Sequence, residues 1–131
     1  MNKYRDKSDF EINKAVAEYY LTCAYRFNSA DEVVELIDID LSCEFGGKIN
    51  RVDNQIIGTF DPCNNPADAM PIIIEHKICM AYDVFAEGHD GGSWVAQPAY
   101  GFSNERVRSD NYYRAAMICF LMMKDAENEK V

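Results

Sequence analysis

Histidine is scarce in this sequence, and its cysteines are not grouped. Only two histidines occur, and the five cysteines, at positions 23, 43, 63, 79 and 119, are never separated by just two residues. A structural zinc site needs about four nitrogen or sulfur ligands, usually from closely spaced pairs. We therefore predict neither a metal site nor another bound cofactor.

Long apolar runs are also missing. The longest, AAMICFLMM, has nine residues, whereas a membrane-spanning helix needs about 20. The first residues, MNKYRDKSDFEI, lack the apolar stretch of a secretion signal. Unpaired thiols persist in a reducing compartment, so we expect a cytoplasmic protein without membrane contact.

Positive charge is in short supply. The chain has 13 basic and 22 acidic residues, a net charge of −9, which argues against direct binding to nucleic acid, because Lys and Arg hold phosphates. Residues 31–44 contain six carboxylates and no base. Such a run is most often a solvated face; the alternative is a DNA mimic that fills a partner's basic groove. The candidate contacts on this acidic face are Asp31, Glu32 and Glu35.

No arrangement for catalysis stands out. A nucleophilic Cys or Ser needs a His within reach and a third group to orient it. His76 lies three residues before Cys79, but across a helix-to-strand junction, so we interpret His76 as a helix end and Cys79 as a core residue. GHDGGS, residues 88–93, lacks the Lys and Ser or Thr of a phosphate loop and is typical of a hairpin turn. We predict that the protein is not an enzyme.

The first helix is marked by its cap and by its apolar spacing. Ser8 and Glu11 have the spacing of a capping box. The apolar stripe that follows at helical intervals consists of Ile12, Ala15, Val16, Tyr19, Tyr20 and Cys23.

Two more helices are predicted later in the chain. One runs from Pro66 to about His76, with Asn65 as its N-cap and a bend caused by Pro71. The last starts at Ser109 or Asp110, ends at about Ala126 and is apolar nearly all round, which predicts burial on more than one side.

The remaining segments predict strands and one short helix. ADEVVELI is interpreted as a short helix, whereas IDLSCEF alternates apolar and polar residues as a strand does. KINRVDNQIIGTF supplies one or two strands, with a turn at Asp53 and Asn54. KICMAYDVFA and SWVAQPAYGF form a hairpin pair, in which Pro98 places the second strand at an edge or a bulge.

The pattern predicts a single small α+β domain over residues 1–131. We expect an antiparallel sheet of three to five strands packed with three or four helices, similar to an α-β-α sandwich, with helices at both ends.

Polar residues at the mouth of the second helix and near the hairpin are the candidates for ligand or partner binding. They are Asp61, Asn64, Asn65, His89, Trp94 and Arg114. Side chains such as the first three most often serve as caps and turns. Arg114 lies in the first turn of a helix, where a carboxylate or a ligand would be its partner.

Three blocks, SDFEINKAVAE, FDPCNNPADAMPIII and NYYRAAMICFLMMKDAE, occur in this order and together resemble the NinX-like family of small proteins from temperate, lambdoid-type phages. The second and third blocks are also similar to wider phage α-β-α sandwich domains. The matching positions are Asp61, Cys63, Asn64, Asn65, Pro66, Trp94, Arg114, Ala115 and Ala116. The chain departs from the pattern at Met70, where a Trp is expected. It also departs in residues 25–59, which are longer than the usual link of the family and are interpreted as a family-specific insertion.

The resemblance implies a phage or prophage accessory protein that works in the host cytoplasm, and it implies no catalytic residues. The leading hypothesis is a non-enzymatic module that binds a host protein, to counter a defence or to redirect host machinery. The alternative is a protein that binds a small molecule such as a nucleotide signal, with His89, Trp94, Asn64 and Arg114 around a pocket. An enzyme without recognisable motifs ranks third.

Overall fold

A computed structural model gives the fold and describes residues 4–38, 55–84, 93–98 and 107–129. These residues form an α+β fold with antiparallel strands between a first and a last helix, as predicted. The elements are α1 (Asp9–Tyr20), β1 (Tyr25–Asn28), β2 (Val33–Asp38), β3 (Gln55–Phe60), α2 (Pro66–Glu75), β4 (Ile78–Asp83), β5 (Ser93–Pro98), β6 (Val107–Ser109) and α3 (Tyr112–Glu129). The strands are divided between two three-stranded sheets, ordered β1-β2-β3 and β4-β5-β6.

Helix α1 begins where the capping box predicts. Ser8 Oγ accepts a hydrogen bond from the backbone N–H of Glu11 at 3.2 Å, and Ile12 and Val16 are fully buried. The helix ends at Tyr20, so Cys23 lies beyond it and is exposed, contrary to the predicted stripe.

The first sheet corrects one sequence prediction. ADEVVELI, predicted as a short helix, is instead the tip of a hairpin followed by β2. Strand β2 pairs with β1 on one side and β3 on the other, with Asn28 opposite Val33 and Val34 opposite Phe60. The β-branched Val33 and Val34 suit a pleated strand better than a helix, and two flanking strands supply their hydrogen bonds.

The pairing of β2 with β3 shifts register between Leu36 and Ile37. Near this irregularity Ile56 and Ile57 are 49% and 63% exposed. The predicted strand IDLSCEF and the predicted turn at Asp53 and Asn54 lie outside the described residues.

Helix α2 confirms its predicted start. Asn65 Oδ1 accepts a hydrogen bond from the N–H of Ala67 at 3.0 Å, and Pro66 occupies the first helical position. Pro71 lies inside the helix. Such a residue lacks the N–H for the helical bond, so neighbouring structure must hold the segment.

The isoleucines at the end of α2 are divided between the core and the surface. Ile72 and Ile73 are buried, whereas Ile74 is 68% exposed. His76 is the C-cap, as predicted, and Lys77 follows with a φ of 54°. This left-handed conformation is the one that favours glycine after a helix.

The second sheet contains the predicted pair β4 and β5, which is antiparallel, with Ile78 opposite Pro98. The prediction that Pro98 marks an edge strand or a bulge is wrong, because β5 is the central strand of its sheet. Pro98 is its last residue, where the missing N–H does least harm to the ladder. The short β6 has no counterpart in the sequence prediction, and it moves the start of the last helix from Ser109 to Tyr112.

Helix α3 forms the centre of the core. Seven consecutive residues, numbers 115–121, are all buried, as predicted for a helix that is apolar nearly all round. The helix contacts α1, α2 and all three strands of the second sheet. The largest fully buried side chains include Phe120, Ile12, Ile72, Met117, Leu121, Val16, Val34 and Val107. In the described part of the chain, no helix has the length and apolarity to cross a membrane.

Candidate functional site

The N-terminal ends of α1, α2 and α3 meet around the loop of residues 61–65. We call this cluster the three-helix junction; its polar members are Asp9, Asn13, Asp61, Cys63, Asn64, Asn65, Asp68, Asn111 and Arg114. Each helix N-terminus carries a partial positive charge, and Asp9 and Asp68 lie in the first turns of α1 and α2. The junction unites four of the predicted residues, namely Asp61, Asn64, Asn65 and Arg114.

Asp61 organises the loop. Its carbonyl accepts hydrogen bonds from the N–H groups of Asn64 and Asn65 at 3.1 and 2.8 Å. Its carboxylate accepts from Asn13 Nδ2 at 2.7 Å and from Asn64 Nδ2 at 3.2 Å. Its own N–H donates to Asp68 Oδ2 at 2.9 Å. These bonds give Asp61 and Asn64 the turn role that is most common for such side chains.

Arg114 ties α3 to the segment before α1. Its Nη1 lies 2.5 Å from Asp9 Oδ1, and its Nη2 donates to the carbonyls of Lys7 and Arg5 at 2.5 and 3.2 Å. The side chain is 18% exposed. A carboxylate is thus a partner of Arg114, and it offsets the unfavourable position of a cation at a helix start.

Asn13 is a site residue that the sequence prediction missed. It is 5% exposed, and besides its bond to Asp61 its Oδ1 accepts from the N–H of Cys63 at 3.2 Å. The only local signal is its position beside Ile12 and three residues before Val16, at the border of the buried stripe. Its partners are 48 and 50 residues away, so helical periodicity does not reveal them.

The two buried cysteines of the described chain are poor nucleophiles. Burial, followed by the charge of Asp9, raises the pKa of the Cys63 thiol far above its usual value. Burial raises the pKa of Cys119 to about 12. Because the thiolate is the reactive form, both side chains serve packing at neutral pH.

Asn111 joins α3 to the loop. Its Oδ1 accepts from the N–H groups of Tyr113 and Arg114 at 2.9 and 3.3 Å, which caps the helix. Its Nδ2 donates to the carbonyl of Cys63 at 2.8 Å and to Asn64 Oδ1 at 3.3 Å. One side chain therefore fixes both the start of α3 and the approach to α2.

The polar groups of the three-helix junction largely satisfy one another. Among the residues that the structure describes, no group of three His, Cys, Asp or Glu side chains is placed to hold a metal ion. The arrangement can hold the N-terminal ends of the three helices in fixed positions relative to one another. A binding role for Asp61, Asn64 and Asn65 stays a prediction.

Trp94 lies outside the junction, in a row of aromatic side chains that we call the aromatic row. Ring centroids are 5.0 Å apart for Tyr82 and Trp94, 4.9 Å for Trp94 and Tyr112, and 5.1 Å for Tyr112 and Tyr113, all edge to face. Tyr82 is 49% exposed, and Val84, which directly follows β4, is 57% exposed. The row leads from the start of α3 to the surface of the second sheet.

The three acidic candidates occupy different environments. Asp31 and Glu32 are exposed at the tip of the β1–β2 hairpin, where Asn28 Nδ2 donates to Asp31 at 3.1 Å. Glu35 is mostly buried in β2, and Arg26 Nε donates to its carboxylate at 2.6 Å. The hydrogen bond from Arg26 is the main reason why the pKa of Glu35 lies below its ordinary value. Glu35 is therefore not part of an open acidic face.

His76 and Cys79, the pair considered for nucleophilic catalysis, occupy different surroundings. The His76 ring packs 4.8 Å from that of Phe120, and burial is the first cause that lowers its pKa. Cys79 is exposed on β4, so the prediction that it packs in the core is wrong. His89 lies outside the described residues.

A cavity of about 370 Å³ lies on the second sheet. Among the residues that the structure describes, its lining consists of Cys79, Ala81, Tyr82, Asp83, Val95 and Gln97. The three residues of the predicted pocket that the structure describes are elsewhere. Trp94 is in the aromatic row, and Asn64 and Arg114 share the carboxylate of Asp9 in the junction.

The family model described as "Bacteriophage P22, NinX" matches residues 3–124. No curated protein and no solved structure gives a significant match. The matched range includes α1, the loop of residues 61–65 and the start of α3, which together build the three-helix junction. The chain belongs to the NinX family of bacteriophage P22.

Proposed function

We propose that this phage-family protein acts by binding a protein of the host cell and performs no chemistry of its own. The observation that carries the proposal is the aromatic row, in which Tyr82 and the neighbouring Val84 are about half exposed. Tyr and Trp are enriched at the centres of protein interfaces, where they contribute much of the binding energy. Tyr82 and Trp94 are the contacts proposed for the partner.

The charge of the chain supports a basic partner surface. The net charge is −9, and Asp31 and Glu32 are exposed at the tip of the first hairpin. Complementary charge speeds the encounter of two proteins more than it tightens their complex. We expect the aromatic row to supply affinity and the hairpin tip to supply attraction at a distance.

The buried thiols support the non-enzymatic part of the proposal. Cys63 and Cys119 have raised pKa values, and the carboxylates Asp9 and Asp61 are engaged by hydrogen bonds within the junction. The finer role is a further part of the proposal: the complex formed in the host cytoplasm counters a defence or redirects host machinery.

Affinity capture from phage-infected cells tests the proposal. The tagged wild-type chain should return one saturable host partner, and Tyr82→Ser combined with Val84→Asp should lower its yield by about tenfold or more, as loss of an interface anchor does. The matched control is Ile74→Ser, which removes a 68% exposed apolar side chain on α2 and should leave the yield unchanged.

The same capture tests the charge component. Asp31→Lys combined with Glu32→Lys should weaken capture most at low salt, because salt screens the attraction in the wild type. If no partner saturates, or if the Tyr82 and Val84 double variant retains full yield, the proposal is wrong.

A further inference from the structure

The cavity on the second sheet lies on the face opposite to α3. Side chains alternate along a strand, so Cys79, Ala81 and Asp83 of β4 share one face with Val95 and Gln97 of β5. The other face carries Ala96 and Val107, which are buried beside α3. The aromatic row belongs to that other face. The cavity is therefore separate from the proposed protein-binding surface, apart from Tyr82 at its rim.

The cavity has small apolar side chains in its middle and polar groups at its two ends. Ala81 and Val95 are cross-strand neighbours and form the middle of the cavity wall. Gln97 is exposed at one end, opposite Cys79. At the other end Asp83 accepts a hydrogen bond from Arg108 Nη1 at 2.7 Å. A small-residue floor between two strands leaves room for a flat ring.

The charges at the cavity disfavour an anion. Asp83 is the one charged side chain among the lining residues that the structure describes, and Arg108 compensates its charge. The whole chain carries −9 and repels phosphate at a distance. The charges of the described lining residues and of the whole chain therefore favour an uncharged ligand over an anion.

Ser93 lies next to the cavity on the same face of the sheet, although it is not one of the lining residues. It pairs with Asp83, stands two residues before Val95 on the same face, and is 1% exposed. Its hydroxyl has no hydrogen-bond partner among the residues that the structure describes. A buried polar atom without a partner is rare and calls for an explanation, of which a bound group beside it is one.

Gln97 indicates the chemistry of the ring. A glutamine amide places one donor and one acceptor in a single plane, which matches the N6 and N7 edge of adenine. A volume of about 370 Å³ is near the small end of ligand pockets, so it suits a nucleoside rather than a larger cofactor.

We propose that the outer face of the second sheet binds an uncharged adenine-type nucleobase or nucleoside, with its ring over Ala81 and Val95 and its amino edge on Gln97. The inference does not depend on the proposed host-protein complex. It assigns a different face of the same sheet to a small molecule.

The exposed thiol of Cys79 allows a direct test on the full chain. Adenosine at about ten times its Kd should slow alkylation of Cys79 about tenfold, because only unoccupied sites react. Cys23, which is exposed in the segment after α1, is the internal control and should react at an unchanged rate. Peptide mapping after timed alkylation measures both rates in one sample.

Two variants and two competing ligands decide the outcome. Ala81→Tyr should fill the cavity and abolish protection, whereas Ala30→Tyr, the same change in the exposed hairpin tip of the first sheet, should preserve it. Gln97→Leu should weaken binding about tenfold or more, as loss of a paired hydrogen bond does. Guanosine and AMP should each protect less than adenosine.

The proposal is overturned if saturating adenosine leaves the Cys79 rate unchanged, if Cys23 is protected equally, or if AMP protects better than adenosine. Ala81→Tyr should retain host-protein capture, and the Tyr82 and Val84 double variant should be judged only by capture. The two proposals can therefore fail separately.

Discussion

At the scale of the residue, Lys77 stands in a conformation that its side chain does not favour. It follows the C-cap of α2 with a φ of 54°. The left-handed region costs a residue other than glycine about 1–2 kcal/mol. Glycine avoids this cost, but it loses more conformational freedom on folding, which offsets part of the gain in stability. Lys77→Gly should therefore stabilise the protein by about 0.5–1 kcal/mol in urea unfolding.

Lys77→Ala is the matched control for that prediction. It removes the same side chain but keeps the Cβ atom that causes the unfavourable contact. Its stability should stay near that of the wild type. If alanine and glycine stabilise equally, the lysine charge and not the backbone conformation is the cause.

Residues also show where prediction from sequence ends. Ser8 and Asn65 bond to groups two or three residues away, so their caps are visible in the sequence. Asn13 and Arg114 bond to groups 48 and 105 residues away. For Arg114 the sequence names the kind of partner, and only the fold identifies Asp9.

At the scale of the element, α3 depends on Asn111 for both its start and its position. Asn111→Ala loses the helix cap and also the donor to Cys63, so we expect a loss of about 2–3 kcal/mol. Asn111→Ser keeps a capping hydroxyl but lacks the amide donor, and should lose about 1–2 kcal/mol. Chemical unfolding of the three proteins checks the order.

The comparison of the two variants separates the roles of one side chain. Equal losses in the serine and alanine variants would mean that the bond to Cys63 dominates and that the cap adds nothing. A serine variant as stable as the wild type would mean the reverse.

Elements with local signals are predicted well, and elements defined by pairing are not. Helices α1 and α2 begin where their caps predict. Strand β2 is not evident from the sequence, because its pairing with β3 joins residues far apart in the chain, such as Val34 and Phe60. Strand β6 has only three residues, too few for any periodicity to appear. The cavity likewise cannot be predicted from the sequence, because its position depends on which face of the second sheet α3 covers.

At the scale of the whole molecule, the buried thiols make stability depend on alkaline pH. The pKa of Cys119 rises from 9.0 to about 12 in the fold, and that of Cys63 is also raised, chiefly by burial. A raised pKa means stability that is fully present below pH 9 and is lost as pH rises toward 12. The free energy of unfolding should fall across this window.

Substitution of the thiol checks the source of this dependence. Cys119→Ala should lower the overall stability but remove one proton's contribution to the slope of unfolding free energy against pH. Cys23→Ser changes an exposed thiol and should leave the slope as it is. An unchanged slope in Cys119→Ala would show that other groups, such as tyrosines, govern the alkaline loss.

The position of α3 after the elements it packs against has a consequence for synthesis. This helix contacts α1, α2 and the second sheet, and Tyr4 donates to Asp125 across 121 positions. A ribosome makes the chain from its first residue onward, so α1, α2 and the second sheet emerge before the helix that packs against them. Until then their apolar faces stay open to solvent and to chaperones. During synthesis, the native fold therefore forms late, once α3 is available to pack against these elements.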